Sequence, residues 1–198
     1  MSTITSPPTP SALSSLISAS GSSDPISALT TQIVHNLKHQ HIWTSLQVHQ
    51  LPGTTDQDAS SIPLISGIPP NRLYTHPDEQ LWMLENNLRD NDVGPERFFV
   101  LPTTRGQMFT LRKLAAVFDS LPEVEDERPL LSQVTDDQKT KDKAEKLRAY
   151  YERREQARKT QEWGGKRLLL AMVDRGVGGD GTVVYYVVQE GTVKPRQN

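Results

Sequence analysis

Hydrophobic positions recur along the chain in short runs that predict alternating helices and strands. The first run predicts a helix over about 25–40, with Asp24 as its N-cap and Pro25 at its first position. Its buried face is predicted from apolar residues at helical spacing, which are Ile26, Leu29, Ile33 and Leu37. A strand follows, with Ile42, Leu46 and Val48 on one side and Pro52-Gly53 at its end.

Two further runs predict short strands in the middle of the chain. Ile62–Ile68 is interrupted by Pro63 and closed by Pro69-Pro70, which is typical of an edge strand, because proline cannot donate to a sheet ladder. Phe98–Leu101 is a compact apolar strand, and Pro102 is predicted to end it.

Two more helices are indicated by their N-terminal residues. His76-Pro77-Asp78 can begin a short helix that carries Leu81, Trp82 and Leu84, although the pattern over 71–97 is ambiguous. Thr110 can cap a second helix, with Pro122 beyond its end. The apolar face of that helix is formed by Leu111, Leu114, Ala115, Phe118 and Leu121.

The last part of the chain predicts a hairpin at the centre of a sheet. Leu168–Val173 and Val183–Val188 are continuous apolar runs of six residues each, which indicates strands buried on both faces. The glycine-rich sequence between them is typical of a turn.

Two segments are predicted to lie outside the core. Residues 1–24 hold 15 Ser, Thr or Pro and no Lys or Arg, so we expect a disordered tail. Charged residues of both signs dominate about 122–165, which predicts a charged helical insertion that faces water. Residues 25–198, including this insertion, are predicted to be one α/β domain, with a mixed sheet flanked by helices.

Composition excludes several classes of function. The 198-residue chain has a net charge of −2, which does not provide the basic field of a stand-alone nucleic-acid binder. It has no cysteine, which excludes a disulfide scaffold and thiolate catalysis. No apolar run is long enough to span a membrane, and the first residues lack a basic leader. We expect a protein of the nucleus, or alternatively of the cytosol, including the cytosolic face of mitochondria.

Candidate sites for small ligands do not have the context that they require. Gly176, Gly178 and Gly181 have the spacing of a dinucleotide-binding loop, but a strand follows them where a helix is needed. His35 and His39 share a helix face close to His41, yet no carboxylate is near enough to complete a metal site. We therefore predict no cofactor and no metal.

Ribonuclease chemistry is also incomplete in this sequence. A metal-free ribonuclease needs a base, an acid and a cation for the developing phosphorane charge. Lys166 can supply the cation, but no residue is an evident base or acid.

The terminal hairpin resembles that of tRNA-splicing endonuclease subunits. The resemblance is carried by Gly165–Asp174, by Gly181–Tyr186 and by the ending Lys194–Asn198, and it is supported by Phe98–Thr103 and Thr110–Leu114. Within the family, the chain is most similar to the small non-catalytic Sen subunit in its fungal form. The resemblance implies the family's nuclease-like fold and a heterotetramer of two catalytic and two structural subunits that excises introns from precursor tRNA.

The resemblance also implies that this subunit is not itself an enzyme. Catalytic members use a tyrosine, a histidine and a lysine, whereas this chain offers Gln107, Met108 and Phe109 where we expect the histidine. Lys166 alone matches, so we interpret it as a relic of the catalytic lysine or as a structural residue.

Partner binding is what the resemblance implies for the hairpin. The acidic turn inserts into a basic cleft of a partner in the family, and the last strand packs against the same strand of a catalytic subunit. The residues that these roles single out are Asp174, Asp180, Val183, Val184, Tyr185, Tyr186, Val187 and Val188. The chain would then meet precursor tRNA only indirectly, through the complex, and would self-associate when isolated.

Two alternatives stay open on the sequence alone. One is an unrelated adaptor that binds its partners through the charged helix at 139–162. The other is a metal-free ribonuclease that uses Lys166 with an unrecognised base.

Overall fold

A computed structural model describes seven segments of the chain, which are 11–19, 25–51, 62–104, 110–122, 138–173, 181–190 and 192–195. They form a six-stranded sheet in which the spatial order of the strands follows the chain. The strands are β1 (Thr44–Leu51), β2 (Ile62–Ile68), β3 (Phe98–Thr104), β4 (Arg167–Val173), β5 (Val183–Gln189) and β6 (Thr192–Pro195). The helices are α1 (Ala12–Ala19), α2 (Pro25–His39), α3 (Pro77–Glu85), α4 (Leu111–Asp119) and α5 (Gln138–Thr160).

The sheet is mixed because one pair of strands is parallel. β3 and β4 run parallel, with Val100 opposite Leu169 and Thr104 opposite Val173. The other described pairs, from β1·β2 to β5·β6, are antiparallel. The connection from β3 to β4 contains α4 and α5. The predicted α/β class with a mixed sheet is confirmed.

Each face of the sheet has its own apolar core. On one face, α2 contributes Leu29, Ile33 and Leu37, which pack against strand residues such as Val100 and Leu169. On the other face, α4 contributes Val117 and Phe118, and Leu121 follows just after it. Side chains alternate between the two faces along a strand, so a strand in the middle of the sheet is apolar at nearly every position.

A third apolar cluster holds α5 against α3. It contains Met83 of α3, Leu147 and Tyr150 of α5, and Trp163 just after α5. The Tyr150 side chain is fully buried, with 0% of its surface exposed. The helix in the predicted insertion is confirmed, but the prediction that this segment only faces water is wrong, because one side of α5 forms a core.

The predicted helix positions agree with the structure, but two residues of the predicted apolar faces, Ile26 and Leu111, are exposed. α2 covers the predicted range, and α3 begins after His76, whose backbone N–H donates to the Glu79 carboxylate at 3.3 Å. Thr110 caps α4, since its Oγ1 accepts a hydrogen bond from the backbone N–H of Lys113 at 3.2 Å. Within the predicted tail, residues 12–19 form α1, whereas 1–10 and 20–24 lie outside the described residues.

Two predictions that rested on proline are wrong. β2 is not an edge strand, because it pairs with both β1 and β3. Pro63 is tolerated because it lies opposite Gln50 of β1 and beyond the β3 pairing, which covers Ile65–Gly67. Pro102 does not end β3, which continues to Thr104 and at Pro102 pairs with β4 alone.

Candidate functional site

The predicted partner-binding strand is β5, and its side chains divide between the two faces of the sheet. Val183, Tyr185 and Val187 belong to the core beneath α2. The Tyr185 hydroxyl donates a hydrogen bond to Asn36 Oδ1 of α2 at 2.6 Å, which fixes the strand to that helix. These three residues therefore stabilise the fold from within, and they are not part of an exposed surface.

The opposite face of the hairpin is partly open. Val188 is buried beneath α4, but Val184 is 45% exposed. α4 has nine residues and so spans about 13 Å, whereas a seven-residue strand spans about 23 Å. The helix is too short to cover the whole length of the strands.

The uncovered end of this face is apolar. Tyr186 lies opposite Leu170, and Val184 lies opposite Met172, so these four side chains form two cross-strand pairs on adjacent rows. We call this group of Leu170, Met172, Val184 and Tyr186 the terminal apolar surface. Cross-strand apolar pairs of this kind favour burial against another protein surface.

The edge of the sheet differs from the prediction for β5. The terminal ribbon contains one more strand than predicted, because β6 pairs with β5 from Tyr186 opposite Pro195 to Gln189 opposite Thr192. The strand exposed at this side of the sheet is therefore β6 and not β5. Among the described residues, no strand pairs with Val183, Val184 or Tyr185 on the β6 side.

The acidic turn that joins β4 to β5 includes Asp174 and Asp180, and both lie outside the described residues. At the end of the turn, Gly181 has a φ of +73°, which favours glycine. Its carbonyl accepts a hydrogen bond from Gln32 Nε2 of α2 at 3.0 Å. The end of the turn is thus attached to the body of the domain.

Lys166, which the resemblance suggests as a relic of a catalytic lysine, has a structural contact. Its Nζ donates a hydrogen bond to the Phe118 backbone carbonyl at 3.0 Å. That carbonyl lies in the last turn of α4, where carbonyl groups lack partners within the helix and a positive charge is favourable. Lys166 therefore joins the start of β4 to the end of α4. Gln107, Met108 and Phe109 lie outside the described residues.

Sequence reasoning missed a buried ionic network between α3 and α5. Glu79 Oε1 accepts hydrogen bonds from Arg72 Nη2 and from the Tyr150 hydroxyl, both at 2.6 Å. Burial by itself would raise the pKa of Glu79, but the Arg72 charge and the hydrogen bonds from Tyr150 and Arg72 lower it below its ordinary value. Burial raises the pKa of Tyr150. The network locks α5 in one position on α3.

The spacing of apolar residues could have revealed this contact. Leu147, Tyr150, Arg154 and Ala157 follow one another at intervals of three, four and three residues, and all four are buried. The Arg154 guanidinium forms a salt bridge with Glu96. A stripe at helical spacing inside a charged segment therefore marks the side of the helix that packs.

The histidines have neighbours that give them ordinary roles. The rings of His35 and His39 lie 4.5 Å apart, and the ring of His41 packs edge-on against Tyr185 at 5.2 Å. Within the described ranges, no three histidine, aspartate or glutamate side chains are close enough together to hold a metal ion. In the same ranges, no helix is both long and apolar enough to cross a bilayer.

One serine and histidine pair lies within hydrogen-bonding distance. His49 Nε2 lies 2.8 Å from Ser66 Oγ, which also accepts a hydrogen bond from Arg97 Nη1 at 3.2 Å. Ser66 is buried in the sheet, with 1% of its surface exposed, so a substrate cannot reach its hydroxyl. The pair stabilises the contact between β1, β2 and the start of β3.

Comparison with known proteins agrees with the resemblance in the terminal hairpin. The family model described as "Sen15 protein" matches residues 32–141 and 139–198. The chain is 34% identical over 180 residues to a protein of Neurospora crassa named probable tRNA-splicing endonuclease subunit tsp-1. That alignment covers 87% of this chain and 67% of the relative. On both grounds, the chain belongs to the Sen15 protein family.

Proposed function

We propose that this chain is a non-catalytic structural subunit of the tRNA-splicing endonuclease, and that it supports assembly of the heterotetramer and intron excision from precursor tRNA. Membership of the Sen15 family and the printed name of the Neurospora relative support the assignment to this complex. Its partners are then the catalytic and structural subunits of the endonuclease. We place the complex in the nucleus, with the cytosol as the alternative.

The contact of Lys166 supports the non-catalytic part of the proposal. The Lys166 ammonium group donates to the Phe118 carbonyl, so its position is explained by the stability of the fold. Cleavage of RNA without a metal needs a base and an acid in addition to a cation. The sequence has no histidine or tyrosine at the positions where the resemblance requires them.

The observation that carries the proposal is the terminal apolar surface beside the β6 edge. Val184 is 45% exposed, although Val188 on the same face of β5 is buried. An edge strand presents unpaired backbone groups, and a partner strand added there would satisfy them and cover the neighbouring apolar side chains. A partner subunit docked at this position would be held by backbone hydrogen bonds and by apolar contact.

With this mode of docking, the chain would contribute to intron excision indirectly, by positioning the catalytic subunits. A subunit fixed through a rigid sheet edge sets the distance and the angle between the catalytic subunits, and thus between their two active sites on one folded tRNA. The acidic residues Asp174 and Asp180 would lie at the end of the same hairpin and would meet a basic cleft on a neighbouring subunit. Complementary charges of this kind fix orientation more than they add affinity.

Co-purification of the subunits tests the proposal. The tagged chain is expressed together with the other endonuclease subunits, either as the parent or as Val184→Lys. We expect the parent to co-purify in stoichiometric amounts and to excise introns within the complex, and the isolated chain to cleave nothing. Val184→Lys should reduce co-purification about tenfold or more, because it places a charge in an apolar contact.

Val48→Lys is the matched control. Val48 lies on β1 at the opposite edge of the sheet and is 50% exposed, so the chemical change is the same at a distant position. This control should assemble like the parent. Intron excision by the purified chain alone, or normal assembly of Val184→Lys, would contradict the proposal.

A further inference from the structure

A cleft opens where the C-terminal ends of α4 and α5 meet the start of β4. It encloses a cavity of about 580 Å³, and the terminal apolar surface is not part of it. Six basic side chains line the cleft: Arg97, Arg154, Arg158, Lys159, Lys166 and Arg167. We call this cavity with its six cations the basic cleft.

Positive charge is concentrated around the basic cleft. Residues 153–167 contain six basic and two acidic side chains, which gives this segment a net charge of +4 in a chain whose total is −2. Four carboxylates, on Glu96, Asp119, Glu155 and Glu190, also line the cleft, so that cations exceed anions by two among the described lining residues. The field around the cleft is therefore positive, although the net charge of the whole chain is negative.

The cations of the cleft lie close to one another, so that each acts on the charge of its neighbours. Arg154 pairs with Glu96, and Lys159 Nζ lies 3.6 Å from Glu155 Oε1. Arg167 lies over the Tyr74 ring at 5.1 Å, and its Nη1 is buried without a hydrogen-bond partner. Burial, and secondarily the charge of Arg158, lowers the pKa of Arg154. An anion in the cleft would offset the cost of holding these charges close together.

The two remaining carboxylates favour RNA over an acidic peptide as the occupant. The side-chain carboxylates of Asp119 and Glu190 have no hydrogen bond or ion pair with any described residue, and both line the same cavity. An acidic peptide places its carboxylates close to its backbone N–H donors, so that its negative charges would repel these two groups. RNA brings phosphates for the cations together with donors, namely 2′-hydroxyl and amino groups, for the carboxylates.

We propose that the basic cleft binds the phosphodiester backbone of RNA directly. The inference rests on the proposed function for the identity of that RNA, which is precursor tRNA. It goes beyond the proposed function, in which this chain meets precursor tRNA only through its partners. Arg158 and Lys159, on the exposed side of α5, are the phosphate contacts, and Arg154 and Arg167 supply the positive field behind them.

A charge-reversal pair tests the cleft. The assembled complex is prepared with the parent chain or with Arg158→Glu plus Lys159→Glu, and its affinity for a fluorescently labelled intron-containing precursor tRNA is measured at several salt concentrations. We expect the affinity to fall about tenfold or more near 0.1 M salt. The slope of log affinity against log salt should decrease by about 1.4, since each phosphate contact to a single strand contributes about 0.7.

Lys146→Glu plus Arg148→Glu is the charge-matched control. Both residues are exposed on the same helix and lie outside the basic cleft, and Arg148 is ten residues or about 15 Å from Arg158. That distance exceeds the screening length of about 10 Å in 0.1 M salt. Near-parental affinity of the control, together with the loss in the cleft pair, supports the proposal. Equal losses in both pairs, or unchanged affinity in the cleft pair, would overturn it.

The same preparation separates the two proposals. If the cleft variant loses its partner subunits but the chain keeps its RNA affinity, the cleft binds an acidic protein segment and the RNA proposal fails. If the parent chain does not co-purify with the subunits, the proposed function fails, and the RNA affinity of the cleft variant is then compared with that of the parent chain alone. Unfolding curves of all variants show whether a loss reflects the cleft or the fold.

Discussion

At the scale of single residues, Lys166 and Glu79 show how charged groups hold this fold together. Lys166 donates to the end of α4 from the start of β4. Glu79 is fully buried and accepts hydrogen bonds from an arginine and a tyrosine. In both cases, a polar side chain joins elements that are distant in the sequence.

For Lys166, we predict a structural effect without a catalytic one. Lys166→Ala removes one charged hydrogen bond at a helix end, so the free energy of unfolding should fall by about 1 kcal/mol in urea denaturation. The rate of intron excision by the assembled complex at saturating enzyme should not change. Lys146→Ala, at an exposed position of α5, serves as the control for loss of a lysine. A tenfold slower cleavage step in Lys166→Ala would indicate a catalytic role.

For Glu79, we predict a pH-dependent contribution to stability. The pKa of this carboxyl is lowered from its ordinary value of 4.5, so the stabilisation is present above that pH and is lost as the pH falls through the lowered pKa. Glu79→Gln removes the nearer counter-ion of the buried Arg72 and leaves Asp90, 3.8 Å from its Nη1, which should cost about 3 kcal/mol at pH 7. The measurement is the free energy of unfolding at steps from pH 7 to pH 3.

The acid range gives the decisive comparison for Glu79. The difference in the free energy of unfolding between parent and Glu79→Gln should narrow as the pH falls from 4.5 through the lowered pKa, because the unfolded chain binds a proton at Glu79 before the folded chain does. Tyr150→Phe removes a hydrogen bond but no charge. The loss in free energy of unfolding that it causes should therefore depend less on pH. If the difference in free energy of unfolding between the parent and Glu79→Gln stayed constant from pH 7 to pH 3, the charge of Glu79 would not stabilise the fold.

At the scale of elements, the C-terminus of α5 has a left-handed residue that is not glycine. Gln161 has a φ of +57°, and the following backbone N–H, of Glu162, donates to the Ala157 carbonyl at 3.1 Å. This is the arrangement of a Schellman motif, in which glycine is favoured at the left-handed position. The sequence therefore uses a residue of higher conformational cost at this helix end.

We predict that Gln161→Gly stabilises the fold, although a substitution to glycine in a helix usually destabilises it. Relief of the left-handed strain should raise the free energy of unfolding by about 1 kcal/mol. Gln156→Gly, within the same helix and also exposed, should lower it by about the same amount, because glycine is unfavourable in a helix interior. Thermal unfolding of the two variants beside the parent measures both effects. Destabilisation by both substitutions would contradict the role assigned to Gln161.

Most elements could be predicted from the sequence because their apolar spacing is regular. The terminal hairpin and α2 are such cases, and Thr110 marks the start of α4. The packing of α5 was missed because its charged residues outnumber the buried stripe that includes Tyr150. β6 was missed because Lys194-Pro195 has poor strand propensity, and its place in the sheet comes from the ladder with β5.

The candidate site could be predicted only in part. Its location on the terminal hairpin comes from the family resemblance, with which the apolar runs agree, but the division into buried and exposed residues depends on the length of α4. Val184 is exposed and Val188 is buried because the helix reaches only one end of the strands. The basic cleft unites residues from α4, α5 and β4, and no local pattern reveals that assembly.

At the scale of the whole molecule, the packing of α5 changes how the adaptor alternative can be tested. Deletion of 139–162 would remove Tyr150 and Leu147 from a core, so a loss of binding would not separate a docking role from unfolding. Charge substitutions on the exposed side of α5 avoid this problem. Lys146→Glu plus Arg148→Glu should leave subunit assembly intact, whereas an adaptor that binds through this helix would lose its partners.

For the isolated chain, we predict self-association through the terminal apolar surface. Without partner subunits, the exposed Val184 and the β6 edge should meet the same features of a second copy. Light scattering during size-exclusion chromatography should show a mass that rises with concentration for the parent. Val184→Lys should shift the chain towards monomer, and Val48→Lys should not. A parent chain that stays monomeric at high concentration would contradict this prediction.

The single parallel strand pair has a consequence for the order of folding. Among the described strands, β1–β3 and β4–β6 are two antiparallel ribbons of three neighbouring strands, and β3 and β4 join them across residues 105–166. Each ribbon can form from contacts that are local in the chain, whereas their union must close a loop of about sixty residues. Union of the two halves is then the slow kinetic step. Until it occurs, a nascent chain would present two open ribbon edges to chaperones and to other chains.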